Sequence, residues 1–227
     1  KMHLRRFIME KKDLLEFSPV RYFDNVTGGL KECEMGLVTA KKGLGKTSVL
    51  VQLGLDSLLN DKSLIHVSFD QRSSNVISWY SSVIAEIAKK KHLNDMDAMA
   101  EEIVRNRTIL NFNQETFTLP KVVNTLKALK EGGITIAAVV VDGLDLAKTS
   151  ADDLKCFADF IKAGKMTAWF SYTNEAATLK DTLDAAKLDA FTTVGHLAAN
   201  GNQLSLSILK NGDGKVNLDA KTLLFTK

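Results

Sequence analysis

Cysteine is nearly absent from this 227-residue chain: Cys33 and Cys156 are the two it has, and they show neither CxxC nor metal-ligand spacing. A disulfide framework and a thiolate metal site are thereby excluded. Two reduced, buried thiols are the expected state, which suits a cytosolic, cytoplasmic protein. Proline is as scarce, at Pro19 and Pro120, and no stretch is repetitive or of low complexity. No apolar run approaches the length of a bilayer, so no membrane partner is expected. The basic start, Lys1 to Arg6, is not followed by a signal-type apolar segment, so secretion is not expected either. Lys1 standing before Met2 reads as a fragment or an added residue. A formal net charge of +3 is far below what a dedicated nucleic-acid binder carries, which makes nucleic acid a minor candidate partner. His3, His66, His92 and His196 are scattered, with no metal-like partner at short spacing.

What is present is ordinary globular material. The hydrophobic fraction of 45% supports a sizeable core, and the length fits one large domain or one domain with a short extension. Residues 1–20 read as a helical arm or linker, and 21–227 as the main domain. Short apolar runs alternate with helix-like segments. Strands are expected at Gly36–Ala40, Leu64–Phe69, Thr108–Phe112, Ile134–Val141 and Met166–Tyr172. Helices are expected from Lys46 to about Asn60, Ser73 to Lys90, Met96 to Arg105, Pro120 to Gly132 and Asp152 to Ala163. In the last third, Phe191–Leu197, Gln203–Leu209 and Val216–Thr226 read as strands joined by Asn-Gly and Asp-Gly turns. This pattern implies an α/β fold. Its central sheet is mainly parallel and flanked by helices, with an antiparallel hairpin at the C-terminal edge.

Ala40-Lys-Lys-Gly-Leu-Gly45-Lys46-Thr47 fits the Walker A pattern, with Ala in place of its first glycine. Gly43 and Gly45 let the backbone curl so that successive N–H groups point at phosphate oxygens, and the helix that follows adds its dipole. The cradle is Ala40, Lys41, Lys42, Gly43, Leu44, Gly45, Lys46, Thr47 and Ser48. Lys46 would reach the β- and γ-phosphates, and the Thr47 hydroxyl would ligate magnesium. The cofactors implied are ATP, or another nucleoside triphosphate, and Mg2+. The apolar strand ending at Asp142 supplies a second metal residue; the alternative is a strand-terminating Asp in a turn. Asp70 follows the second strand, where it either polarises an attacking water or serves as an acid at a helix start. Asp145 reads as a solvated loop residue. Trp79 and Trp169 read as core, and Lys89-Lys-Lys91 as a helix C-terminus.

Phe23-Asp-Asn-Val-Thr-Gly-Gly-Leu30 and Glu34 to Thr47 resemble the ATPase core of DnaB-type replicative helicases, whose plan KaiC and RecA-like ATPases share. The resemblance spans about residues 18 to 227 and implies a RecA-like P-loop NTPase. It implies that Asp70, in Ser68-Phe-Asp70, takes the place of a catalytic glutamate. It also implies that Ser171-Tyr-Thr-Asn174 lies beside the γ-phosphate. Ile208-Leu-Lys-Asn-Gly-Asp-Gly214 matches a finger that reaches a neighbouring subunit's nucleotide, which gives Lys210 a catalytic role in a homo-oligomeric ring or dimer. Three positions depart from the family. Asp70 is a methylene shorter than glutamate, Tyr172 replaces a phosphate-sensing glutamine, and Gly212 stands where the finger arginine would be. The losses fall on hydrolysis and DNA translocation. The expectation is magnesium-dependent nucleotide binding with weak hydrolysis at most. The alternatives are a non-hydrolysing assembly or signalling module and, third, a DNA-stimulated helicase-type ATPase.

Overall fold

The computed structural model describes residues 11–69, 71–90, 92–93, 96–175 and 183–227. Residues 11–16 are helical, and Leu14 among them is buried in the core. Pro19 precedes α1 (Val20–Thr27), which ends on Gly28 in the left-handed region at φ 77°. Then come β1 (Met35–Ala40), α2 (Lys46–Leu59), β2 (Leu64–Phe69), α3 (Ser73–Lys90), α4 (Asp97–Val104) and β3 (Arg107–Phe112). They are followed by α5 (Leu119–Glu131), β4 (Ala138–Asp142), α6 (Ala151–Ala163) and β5 (Thr167–Thr173). The short α7 (Ala185–Asp189) leads to β6 (Thr193–Asn200), β7 (Gln203–Lys210), β8 (Lys215–Leu218) and β9 (Phe225–Thr226).

These strands form a nine-stranded sheet in the order β3-β2-β4-β5-β1-β6-β7-β8-β9. The first six strands in that row run parallel, and β7 to β9 continue antiparallel. β1, β2 and β4 are buried along their whole length, as strands covered on both faces must be. One core lies on the α2, α3 and α4 side, with Val49, Leu55, Val76 and Val140. The other lies under α5 and α6, with Val122, Phe157, Val139 and Phe170. The fold is α/β, as the alternation of apolar runs implies.

Several expectations need correction. The strand drawn from Ile134 begins at Ala138, because the N–H groups of Ala137 and Ala138 both go to Ser63 O. Ile136 stays buried while Ile134 is exposed, so hydrophobicity outran the ladder. Val216–Thr226 is two strands rather than one. The Asp219 carboxylate accepts the N–H groups of Lys221 and Thr222, at 3.0 and 2.7 Å, and this side-chain turn breaks the strand. The thiols are not both buried: Cys156 is exposed on the outer face of α6 and Cys33 is half-buried in the turn before β1. Trp169 is core, but Trp79 is half-buried and faces a cavity. Asp145 is not simply solvated. Its N–H donates to Gln114 Oε1 at 2.7 Å and its carboxylate accepts Ala147 N–H.

A polar pair sits inside the α2–α3 core. His66 of β2 and Tyr80 of α3 are fully buried, and His66 Nδ1 lies 3.0 Å from the Tyr80 hydroxyl. Burial pushes the imidazole pKa down to about 4; the Asp142 charge opposes the shift and Arg107 adds to it. The unfolded imidazole binds its proton near pH 6.5, whereas the folded one stays neutral until about pH 4. Stability from this group is therefore complete above 6.5 and is lost as pH falls towards 4. His196, lowered by its own partial burial, acts in the same direction. Urea midpoints measured from pH 7.5 to 5 should fall by the equivalent of about 2 kcal/mol. A His66→Gln variant should show a flatter profile over that range; an equal slope in the variant would contradict the assignment.

Candidate functional site

β1 is the central strand from which the site begins. Ala40 ends it fully buried, the backbone turns through Lys41, Lys42 and Gly43, all exposed, and Leu44 tucks half-buried against the core. Gly43 and Gly45 have φ of 83° and 97°, a conformation that L side chains adopt at a cost. Gly45 is the N-cap of α2, and no side chain among the described residues caps that helix. Its first-turn N–H groups are therefore directed outward as anion donors.

Parallel β4 delivers Asp142, 3% exposed, beside the start of α2. Thr47 Oγ1 donates to Asp142 Oδ2 at 2.7 Å, and Ser171 Oγ of β5 donates to Asp142 Oδ1 at 2.5 Å. The Ser171 hydroxyl in turn accepts Gly143 N–H at 2.9 Å. Both carboxylate oxygens are thus oriented by hydroxyls. Lys46 Nζ donates to the carbonyls of Ala40 and Lys41, at 3.3 and 3.2 Å. Burial lowers the pKa of its ammonium, and the negative charges of Asp142 and then Glu175 oppose that shift. Ser48 carries its side chain into the same space.

A cavity of about 790 Å3 opens over these groups, within the size range of small-molecule sites. Lys42, Gly43, Gly45 through Ser48, Asp142, Ser171 and Thr173 line one end of it. Trp79, Ser82, Val83 and Glu86 of α3, with Lys221, Thr222 and Leu223 of the β8–β9 turn, line the rest. The chemistry of the donor set suits a magnesium nucleotide. Magnesium is commonly held by one or two carboxylates, a hydroxyl and substrate phosphates, not by an all-protein cage. Among the described residues no group of three or more His, Cys, Asp or Glu is gathered for a metal. Thr47 and Asp142 would hold the ion, Lys46 would meet the phosphates, and the loop amides would cradle them.

The remaining site candidates stand apart. Asp70 lies outside the described residues; its neighbours Phe69 and Gln71 line the cavity. Lys210 pairs in register with Val194, which pairs with Leu37, so it sits level with the first half of β1 and away from the loop end. Its Nζ donates to Leu188 O at 3.2 Å. Asn211 beside it donates to Thr27 O and Thr193 Oγ1. Gly212, at φ 143°, leaves an added Cβ only 3.2 Å from Val26 O. The sequence reading missed Glu175, Gln114, Gln52 and the Lys221–Leu223 turn as contributors to this region. None of them carries a periodicity or motif that would mark it.

A P-loop between a central parallel strand and its helix, with an acid delivered by a neighbouring parallel strand, defines the RecA-like P-loop α/β fold. The solved ATPase domain of a DnaB-family helicase has this fold. It matches with a TM-score of 0.70 at 16% identity, over 92% of this chain and 90% of that one. Altogether 620 solved chains match, so the fold by itself selects no single activity. No family model and no curated protein matches the sequence. No helix among the described residues is long and apolar enough to cross a membrane.

Proposed function

We propose that this chain binds a nucleoside triphosphate, ATP first, with magnesium at the P-loop, and hydrolyses it weakly at most. The observation that carries the reading is the 2.7 Å hydrogen bond from Thr47 to Asp142. The fold brings a P-loop hydroxyl and a strand-end carboxylate together where a metal bridging β- and γ-phosphate oxygens would sit. Lys46 and the amides of Gly43 to Ser48 bind the phosphates, and Asp142 organises the metal with Ser171 behind it. Asp70 orients water, with the reach of aspartate only.

Weak turnover is supported by the resemblance-matched finger. Gly212 is packed against Val26 and Ile208 in a backbone conformation that disfavours a side chain, and it supplies no charge to a transition state. Lys210, tied to Leu188 O, would act only across a subunit boundary in a ring or dimer. That same tether favours the second reading, a cytoplasmic nucleotide-binding module that hydrolyses nothing and serves assembly or signalling.

Equilibrium titration with MgATP, with and without EDTA, is the direct test. Binding should require magnesium in the native chain, and Asp142→Asn should lose most of that dependence. Turnover should stay far below the ~10 s−1 of a median enzyme. Binding that ignores magnesium, or that Asp142→Asn leaves unaltered, would remove the metal assignment. Turnover raised by single-stranded DNA would favour the helicase-type reading instead.

A further inference from the structure

We propose that Glu175 is a built-in competitor for the terminal phosphate, so that the site prefers a nucleoside diphosphate to a triphosphate. The inference rests on the nucleotide-binding reading above and specifies which nucleotide the site favours. β1 and β5 run parallel with Ala40 opposite Thr173. Two residues further along each chain, beyond the sheet edge, stand Lys42 and Glu175. Glu175 Oε1 accepts the Lys42 N–H at 2.8 Å. A carboxylate therefore already occupies one amide of the phosphate-binding loop, and it does so as an anion in an anion site.

The contact is positioned by the backbone. Asn174 is 1% exposed, and its N–H donates to Ala40 O at 2.9 Å, so the chain entering Glu175 is fastened to the start of the P-loop. The position along the nucleotide follows from the metal. A magnesium ion on Thr47 and Asp142 bridges the β- and γ-phosphates, which puts the terminal phosphate at the Asp142–Ser171 end of the cavity. Lys42 and Thr173 line that same end. A diphosphate can use the amides of the α2 N-terminus and leave the Lys42–Glu175 bond closed. A triphosphate brings further negative charge towards that carboxylate and needs it displaced. Lys46 is shared as well, since its ammonium lies in the field of both Asp142 and Glu175.

The test compares MgADP with MgATP, and MgGDP with MgGTP, by calorimetric titration of the native chain, Glu175→Gln and Glu175→Ala. The native chain should bind the diphosphate about tenfold more tightly, the scale of one unfavourable charge near the surface. Glu175→Gln keeps an acceptor for Lys42 N–H but drops the charge, and should narrow the gap. Glu175→Ala should close it, and in both variants the change should come mainly from tighter triphosphate binding. Glu175 is exposed, so both variants should melt with the native chain. A native chain that favours the triphosphate, or a ratio unmoved in both variants, overturns the inference and leaves nucleotide binding standing. If no nucleotide binds the native chain or either variant, the nucleotide-binding reading falls and this inference with it.

Discussion

Lys46→Ala should weaken magnesium-nucleotide binding by about a hundredfold or more while leaving the melting temperature nearly unchanged. The ammonium is the positive group set against Asp142 and Glu175, and without it the phosphate end of the cavity would repel its ligand. A hydrogen bond to a charged group contributes roughly 1.5–3 kcal/mol. Losing contacts to two phosphates therefore easily reaches the hundredfold scale. The fold depends on this side chain much less. Its donors go to Ala40 O and Lys41 O, and Ala40 O keeps the Asn174 N–H as a second partner. Titration with a fluorescent nucleotide, paired with a thermal melt, separates the two effects. Native affinity in a well-folded Lys46→Ala variant would remove the central reading of the site.

Gln52→Leu should be the most damaging single change near the site, costing about 3 kcal/mol. Gln52 is 1% exposed on α2. Its Nε2 donates to Leu223 O at 2.9 Å, and its Oε1 accepts Phe225 N–H at 2.9 Å. One amide thereby fastens the C-terminal β8–β9 turn to the helix that starts at the P-loop. Leucine fills similar volume but leaves both backbone groups without that partner, at roughly 1–3 kcal/mol each. For a chain of this size the melting temperature should fall by about 6–12 °C. Nucleotide affinity should fall as well, because Leu223 walls the site beside Gly45, where an added Cβ would meet Leu223 Cδ1 at 3.0 Å. A melting temperature within a degree or two of native would show that the clamp is dispensable.

Local chemistry was legible in the sequence, and long-range placement was not. The P-loop, the α2 start and Asp142 could be read because each depends on near neighbours: glycines that permit positive φ, an apolar run, an acid at its end. Helix limits were close for the same reason, as with Pro120 in the first turn of α5 and Gly132 at its end. Strand order depends on which runs pair, and Met35 opposite Ala168 leaves no trace in composition. Glu175 was invisible because its role comes from parallel register with Lys42. Gln52 was invisible because a glutamine in a helix reads as surface unless its buried partners are known. Ile134 and Val216–Thr226 misled because hydrophobicity marks burial, whereas a strand also needs a ladder partner for each N–H.

The position of β1 has a consequence for how the chain is made. It is the first strand of the sheet to be synthesised, yet it lies between β5 and β6, so Met35 to Ala40 must wait for Ala168 to Thr173 and then Thr193 to Leu197. Until then a fully apolar-flanked strand has no partner, and the P-loop hangs from an unanchored end. Pairing across such sequence distances slows folding and leaves an aggregation-prone edge in the interval. Refolding should therefore be slow for the chain's length. The phosphate-binding loop, encoded near the beginning, should be among the last parts to acquire its shape.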